Sequence, residues 1–311
     1  MTGILNKLRE TVVLRRWVDR SAVLAKGPDR GTWLNGLLTC DLLKRAPGHG
    51  SYGLIVQKNG KIVADLHLLD DGQATWLFAP VAEREAVFAL LDAHLIMEDA
   101  AVELVEAELV SLHGPFAAEV ANAIAGSGAV ISEVEVLGRG DLLLSLPASR
   151  ARELGDALGD MTTSVAGVVA DDATWDTLRV DRFLPSFGID YDQNFYPQEA
   201  ALELKAVSFE KGCYLGQEVV YMLEKRGHVK RRLTRIALES GEALAPSGSA
   251  VADPKGDVVG ETRSGSLSER WNRPVMFAVV KRTHLAVGTE LQVRGLRAVV
   301  LGSEEEIAAD G

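Results

Sequence analysis

The cysteine at position 213 stands in the most unusual chemical setting in this sequence. Two glycines flank it and a lysine precedes it in the string Lys211-Gly212-Cys213-Tyr214-Leu215-Gly216-Gln217-Glu218. A helix is predicted to begin near Gly216, and both its unpaired N–H groups and the charge of Lys211 favour the thiolate form of a nearby cysteine. The flanking glycines allow the backbone to approach a ligand closely. The pattern predicts a reactive thiol, with a buried cysteine at a loop-to-helix junction as the alternative.

A group of cations follows this motif at residues 225–235. Six of these eleven residues are basic, although the chain has a net charge of −11. With one histidine among them, the segment contains Lys225, Arg226, His228, Lys230, Arg231, Arg232 and Arg235. Arginine binds carboxylates bidentately, so the segment is expected to meet an anionic ligand, a phosphate or an acidic partner. The alternative is a solvated basic face after a helix, where cations offset the helix dipole.

Composition and charge exclude several classes of protein. Acidic residues outnumber basic ones 44 to 33, which argues against general nucleic-acid binding but leaves a local basic site open. Two cysteines, Cys40 and Cys213, are too few for a disulfide framework or for a four-cysteine metal or iron–sulfur site built by one chain. The longest uncharged run, Val120–Ser132, is shorter than the about 20 apolar residues of a membrane-spanning helix. Because the first twenty residues also lack a secretory core, we expect a bacterial cytoplasmic protein without a membrane or metal site.

The elements that must position these residues are short strands and helices in alternation. Tyr52–Gln57 and Ile62–Leu68 flank Asn59-Gly60, which predicts a hairpin with a type I′ turn. Residues 182–215 form a long irregular stretch of the kind that often carries function. From Leu233 onward, only short strands separated by turns are predicted, as in a small barrel or sandwich. The predicted fold class is α+β with largely antiparallel sheets, in two or three domains.

The string around Cys213 resembles the signature Lys-Gly-Cys-Tyr-x-Gly-Gln-Glu of the YgfZ group of folate-binding proteins, relatives of the glycine cleavage T-protein. Further segments resemble that family in the same order along the chain. They are Trp33–Asp41 with Cys40 where Asn is common, the hairpin Tyr52–Asp65, the series Leu178–Glu199, and Val259–Ser264. The resemblance implies two ferredoxin-like folate-binding subdomains in residues 1–232 and a β-barrel in residues 233–311, arranged around a central cavity.

The cofactor implied by this resemblance is tetrahydrofolate or a one-carbon derivative. Asp181 and Glu199 fall at the family positions that hold the pterin, whose N–H and amino donors a carboxylate can accept. Asp65 is the remaining acid of a family pair of adjacent aspartates, which here reads Ala64-Asp65. The other residues assigned to the cofactor are Tyr52 and Phe187 beside the rings, Arg231 at the glutamate tail, and Lys211. Cys213 and Asp65 are the candidates for catalysis.

Simpler roles stay open for some of these residues. Asp181 could instead form an ion pair with Arg179 or Arg182, as exposed carboxylates commonly do. Tyr52 and Phe187 could simply pack in a core. One sequence does not decide between these roles and a folate site.

The resemblance implies an accessory role in the assembly or repair of iron–sulfur enzymes, including enzymes that modify tRNA. The expected partners are a reduced folate and client iron–sulfur enzymes, with Cys213 reacting or sharing a cluster with a partner. Direct contact with tRNA stays open. Because one family aspartate is missing and the T-protein lacks the cysteine motif, we interpret the protein as an accessory factor more readily than as an aminomethyl-transferring enzyme. The alternatives are a folate-dependent one-carbon transferase or demethylase that uses Asp65, and a scaffold for a partner.

Overall fold

The chain forms two compact units in a computed structural model that describes residues 3–46, 48–225, 227, 229–239 and 244–302. Unit 1 comprises residues 1–171 and 204–219, and unit 2 comprises residues 172–203 and 220–311. Two members of the basic segment, Arg226 and His228, lie outside the described residues. The chain thus crosses between the units three times, and this division differs from the predicted boundary between residues 232 and 233.

The helices are short throughout the described chain. They are α1 (Ile4–Glu10), α2 (Arg30–Asn35), α3 (Arg84–Asp92), α4 (Ala117–Ala121), α5 (Ala151–Ser164), α6 (Asp172–Asp181), α7 (Glu203–Ala206) and α8 (Gln217–Lys225). None of the helices in the described part of the chain is long and apolar enough to cross a membrane. The helix expected at the cysteine motif is α8, which begins one residue after Gly216.

In the part of unit 1 that the structure describes, ten strands form two five-stranded sheets. The strands are β1 (Val13–Trp17), β2 (Arg20–Lys26), β3 (Ser51–Val56), β4 (Ile62–Asp70), β5 (Ala74–Pro80), β6 (Ala101–Val105), β7 (Ala107–His113), β8 (Val130–Glu133), β9 (Leu142–Pro147) and β10 (Val168–Val169). One sheet has the order β10-β1-β7-β9-β8 and the other β3-β4-β5-β2-β6. All neighbours are antiparallel except β1 and β10. The predicted α+β class with largely antiparallel sheets is confirmed.

The hairpin of β3 and β4 is confirmed, but its turn is not of type I′. That turn requires positive φ at both central residues, whereas only Gly60, with φ of 78°, has it and Asn59 does not. The Asn59 side chain instead accepts a hydrogen bond from the backbone N–H of Lys61 at 3.0 Å, and a bulge follows Ile55. Strand β4 is buried along nearly its whole length, so polar side chains on it are held in the interior.

Unit 2 contains a closed barrel of six strands with the order β11-β14-β13-β12-β15-β16. The strands are β11 (Arg231–Leu238), β12 (Ala250–Ala252), β13 (Val258–Ser268), β14 (Arg273–Lys281), β15 (Glu290–Val293) and β16 (Leu296–Gly302). Buried aliphatic side chains such as Ile236, Met276 and Val300 fill its interior. This confirms the predicted C-terminal barrel, whose first strand begins two residues before the expected boundary at 233.

Helix α6 belongs to the barrel unit because its polar side chains bond to strand β13. Thr177 and Ser266 share a hydrogen bond of 2.8 Å, and Arg179 donates to the Ser264 hydroxyl at 2.7 Å. At the end of the helix, the Asp181 carboxylate accepts a hydrogen bond from Ser268. These bonds attach residues 172–181 to the barrel, which is why the boundary falls before α6.

Candidate functional site

Asp65, the predicted catalytic acid, lies on β4 inside unit 1 and is only 2% exposed. Arg20, at the start of β2, donates from its two terminal nitrogens to the two carboxylate oxygens of Asp65 at 2.8 and 3.0 Å. The Tyr52 hydroxyl donates to the same carboxylate at 2.9 Å. The structure thus brings together two predicted site residues, Tyr52 and Asp65, and adds an arginine that the sequence analysis did not single out.

The electrostatics of this cluster keep the carboxylate ionised. Burial works against the charge of Asp65, but the charge and hydrogen bonds of Arg20, with smaller contributions from His67 and Tyr52, lower its pKa. Burial and the charge of Arg20 lower the pKa of His67 to about 3, so this imidazole is neutral at physiological pH. His67 packs between Trp17 and Tyr52, with ring centroids 5.2 and 5.1 Å away. Asp65 is therefore a fixed negative charge and a weak base.

Lys211 connects the cysteine motif to the segment after helix α2. Its ammonium donates to the backbone carbonyls of Asn35, Leu38 and Cys40 at 2.5, 2.7 and 2.8 Å, and the residue is 7% exposed. Since an ammonium has three donors, this set uses all of them. The side chain thus fastens two segments about 170 residues apart, and a contact of Lys211 with a cofactor stays a prediction.

The same two segments are joined by further bonds within unit 1. Thr39 donates its hydroxyl to the carbonyl of Ala206 at 2.6 Å, and its own carbonyl accepts from the N–H of Ser208 at 2.9 Å. The N–H of Leu215 donates to the carbonyl of Gly36 at 3.0 Å. The segment Trp33–Asp41 and the cysteine motif, which were matched to one family separately, therefore form one structural feature.

The two cysteines have opposite environments. Cys213 is exposed, whereas Cys40 is buried and 8% exposed. Burial raises the pKa of the Cys40 thiol to about 11, although the nearby charge of Lys211 acts in the other direction. Gly53 faces the Cys40 sulfur so closely that a side chain there would collide with it. The expected contrast between an accessible Cys213 and a buried Cys40 is present, while the reactivity of Cys213 stays a prediction.

Only one of the two glycines around Cys213 is required by the space around it. Gly216 has a φ of 76°, and a Cβ at this position would collide with the backbone oxygen of Gln57. Gly212 has open space where a Cβ would point. Close packing therefore requires a glycine after Cys213, at Gly216, but not before it, at Gly212.

In unit 2, the structure brings together Glu199 and Arg231. Arg231 donates through Nε to Glu199 Oε1 at 3.2 Å, and its guanidinium lies 4.6 Å from the Phe195 ring centroid. The second oxygen of Glu199 accepts from the N–H of Tyr196 at 3.1 Å. Glu199 is 8% exposed, while the Arg231 side chain is 39% exposed. The two residues predicted to hold opposite ends of a folate are thus direct neighbours.

Arg232 and Arg235, the other arginines of the basic segment that the structure describes, have structural partners. Arg232 donates to Glu203 at 2.5 Å and to the backbone carbonyl of Gln198 at 3.0 Å. Arg235 is 1% exposed and donates to the carbonyls of Val180 and Asp181 at 3.1 and 2.9 Å. The described arginines of the segment are therefore engaged within unit 2, which does not fit a freely solvated basic face.

The remaining two predicted residues have local partners in unit 2. The Asp181 carboxylate accepts from the Ser268 hydroxyl at 2.5 Å and from the N–H of Glu269 at 3.2 Å. Burial raises its pKa, against the effect of these hydrogen bonds. Phe187 packs edge-on against Tyr191, with centroids 5.5 Å apart. The ion pair of Asp181 with Arg179 is not formed, because Arg179 pairs with Asp176 and Asp190; pterin binding by Asp181 and Phe187 stays a prediction.

The residues that sequence reasoning missed differ in the signal they left. His67 is two residues from Asp65 on a strand, and this spacing places both side chains on one face. Arg20 left no such signal, because it is 45 residues from Asp65 in the chain. Across the described ranges, no group of three or more His, Cys, Asp or Glu side chains is placed to hold a metal ion.

The fold and these clusters define an α+β protein with two antiparallel-rich sheets and a separate closed barrel. Residues 5–136 match the family described as GCVT N-terminal domain, and residues 231–300 match the glycine cleavage T-protein C-terminal barrel domain. These two matches place the chain in the glycine cleavage T-protein superfamily.

Individual proteins show the same relation over most of the chain. Proteins named aminomethyltransferase from Herpetosiphon aurantiacus and Symbiobacterium thermophilum are 26% and 27% identical to it. The alignments cover 86% and 89% of this chain and 78% and 81% of those relatives. The crystal structure of glycine cleavage system aminomethyltransferase T from Bartonella henselae has a TM-score of 0.82 at 23% identity, covering 97% of this chain and 89% of that one. This last similarity shows the shared fold.

Proposed function

We propose that the protein binds a reduced folate and acts in folate-dependent one-carbon transfer. The observation that carries the binding part is the contact between Glu199 and Arg231, a half-exposed guanidinium beside a largely buried carboxylate. The similarity to proteins named aminomethyltransferase over 86% and 89% of the chain supports the transfer part. It favours this function over the accessory role that the sequence motif implies.

The donors and acceptors in unit 2 fit a reduced folate. Only Nε of Arg231 bonds to Glu199, and its two terminal nitrogens have no partner among the residues that the structure describes. Two parallel N–H groups are the arrangement that binds a carboxylate bidentately, as the glutamate tail of a folate requires. Because Glu199 bonds to the same guanidinium, it would hold Arg231 toward the tail, and the pterin of the same folate would lie beyond its reach. The bound folate would supply the nitrogen that carries the one-carbon unit.

Asp65 would have a positioning role in this function. With its pKa lowered and three donors on its oxygens, it carries no proton at neutral pH and is poorly suited to take one up. Its role is to accept the hydrogen bond from the Tyr52 hydroxyl and so to fix the orientation of that hydroxyl.

Folate binding is tested by calorimetry with tetrahydrofolate and with its polyglutamylated form. Arg231→Ala should weaken the polyglutamate more than the monoglutamate, because additional carboxylates need the guanidinium. Glu199→Ala should weaken both by about 1–3 kcal/mol, the cost of leaving hydrogen-bonding groups unpaired. Arg273→Ala, at an exposed position of the barrel, is the matched control. Absence of heat with every reduced folate would refute binding, and equal losses for both forms would remove Arg231 from the tail.

The transfer step is tested with methylated amines and tetrahydrofolate. We expect the methyl group to pass to a nitrogen of the folate, which gives a methyl-folate, the demethylated amine and a proton without any oxidant, in a reaction that depends on the wild-type protein. Asp65→Asn should reduce this turnover, because it removes the charge that balances Arg20. A protein that binds folate normally but shows no turnover with any methylated amine would rule out the transferase function while leaving folate binding intact.

One observation favours a second function. Cys213 is exposed on a turn that Lys211 and Gly216 hold in place, an arrangement suited to a group that meets a partner. Together with the motif Lys-Gly-Cys-Tyr-x-Gly-Gln-Glu, this supports membership of the YgfZ group and an accessory role toward iron–sulfur enzymes, with tRNA-modifying enzymes as clients. In that case Cys213 would react with, or share a cluster with, the client.

The two functions are separated in a strain that lacks the gene. Restored activity of iron–sulfur enzymes with the wild type and with Cys40→Ala, but not with Cys213→Ala, would support the accessory role and the chemical use of Cys213. Full restoration by Cys213→Ala would mean that the motif serves shape alone. Unchanged iron–sulfur enzyme activity in the deletion strain would exclude the accessory role.

A further inference from the structure

A cavity of about 310 Å³ in unit 2 is lined by side chains that the proposed function does not use. Its polar wall contains Gln198, Glu203, Glu224, Arg232 and Arg282. Pockets of this size are large enough for a small organic molecule.

Two residues that line the cavity each have a buried oxygen with no hydrogen-bond partner among the residues that the structure describes. These oxygens are Oε1 of Gln198 and Oε2 of Glu203, in residues that are 4% and 6% exposed. The orientation of the Gln198 amide is determined by its nitrogen, which donates to the carbonyl of Val220 at 2.9 Å. Turning the amide over would place two oxygens against each other, so Gln198 presents an acceptor. Buried acceptors are rarely left unpaired, and this pair indicates a ligand that donates hydrogen bonds.

The charges around the two oxygens specify that donor further. Glu203 is already paired with Arg232 through its other oxygen at 2.5 Å, so Glu224 and Arg282 are the second carboxylate and the second cation of the cavity. Burial, and to a smaller extent Glu224, raises the pKa of Glu203 against the effect of Arg232, and a further cation beside this carboxylate would favour its charged form. A divalent metal would need more oxygen ligands than these and would lie against the Arg232 guanidinium. A primary ammonium, with three donors and one charge, matches the site better.

The remaining side chains of the cavity wall specify the rest of the ligand. Arg282 lines the cavity and is exposed, and its guanidinium has no side-chain partner among the described residues. This guanidinium would donate hydrogen bonds to a carboxylate. Leu223, Val229 and Leu285 supply an apolar wall. We propose that this cavity binds a free α-amino acid with an aliphatic side chain, its ammonium on Gln198 and Glu203 and its carboxylate at Arg282. This proposal does not rest on folate binding.

The test uses calorimetry with three probes of similar size. L-leucine carries both charged groups, isoamylamine lacks the carboxylate and 4-methylvalerate lacks the ammonium. We expect L-leucine to bind most tightly, isoamylamine more weakly, and 4-methylvalerate not at all. No binding of L-leucine at millimolar concentration would overturn the proposal, and would mean that water satisfies the two oxygens. Tighter binding of 4-methylvalerate than of isoamylamine would overturn it as well.

Two variants assign the ends of the ligand. Glu203→Gln retains the acceptor for Arg232 and should weaken L-leucine and isoamylamine by about tenfold or more, as expected for a lost charged partner. Arg282→Gln should weaken L-leucine but leave isoamylamine unchanged. Glu218→Gln, an exposed position outside the cavity wall, is the control. If Glu203→Gln is folded by circular dichroism and still binds both probes as the wild type does, the ammonium site is refuted.

Discussion

Replacing Lys211 by methionine removes the ammonium that joins the cysteine motif to the segment after α2, while keeping most of the apolar stem. Three backbone carbonyls, those of Asn35, Leu38 and Cys40, lose their charged donor in a buried place. Each hydrogen bond to a charged group contributes about 1.5–3 kcal/mol net. The variant gains part of this back, because burial lowers the pKa of Lys211 and thus opposes its charge. We expect a net loss of about 3–5 kcal/mol in the free energy of unfolding, the usual cost of breaking a buried charged interaction.

The loss is measured by urea unfolding, followed by circular dichroism and tryptophan fluorescence. Lys44→Met is the control, since Lys44 is an exposed residue near the same segment that forms a long ion pair of 3.7 Å with Asp41. We expect less than about 1 kcal/mol there. A loss of less than about 1 kcal/mol in the free energy of unfolding for Lys211→Met would refute the structural role. Lys211 would then be a candidate for acting on Cys213 or on a ligand.

Three further results are expected. Gly216→Ala should destabilise unit 1 by about 2–4 kcal/mol, because its Cβ meets backbone at a positive φ, whereas Gly212→Ala should change the free energy of unfolding by less than about 0.5 kcal/mol; similar effects of the two would contradict the packing argument. Alkylation should modify the exposed Cys213 well before Cys40, whose thiol is buried with a pKa of about 11, and mass spectrometry of Cys213→Ala and Cys40→Ala would reveal the reverse order if it occurred. The wild type should lose about 2 kcal/mol in the free energy of unfolding through His67 between pH 7 and pH 5, because the unfolded imidazole takes up a proton near pH 6.5 and the folded one only near pH 3. Unfolding curves of His67→Gln should lack this part of the pH dependence. If the free energy of unfolding of His67→Gln changes with pH as it does in the wild type, His67 is not the group responsible.

Local patterns were enough to predict the main elements of the fold. The alternation around Asn59-Gly60 indicated the hairpin, because a strand shows its two faces in its own sequence. The short strands after residue 233 indicated the barrel for the same reason, and the apolar residues after Gly216 indicated helix α8. The exposed position of Cys213 also agrees with the prediction, since glycines and a loop surround it in the sequence itself.

The tertiary structure decided which groups face one another, because partners far apart in the chain leave no local pattern. Lys211 was interpreted as a charge for Cys213 or for a cofactor, and its ammonium bonds to carbonyls 171–176 residues away. Asp65 was predicted as an acid for catalysis, and Arg20 makes it a fixed negative charge. The division into units depended on hydrogen bonds between α6 and β13, which residue types alone do not reveal.

The sequence by itself therefore determined the α+β class, the barrel and the family resemblance, all of which depend on residues close together in the chain. Only the tertiary structure showed that Glu199 lies beside Arg231, and that the oxygens of Gln198 and Glu203 lie unpaired in one cavity. A carboxylate or an amide has the same letter in the sequence whether its hydrogen bonds are made or missing. Its partners depend on how distant segments pack, and that is set by the whole fold.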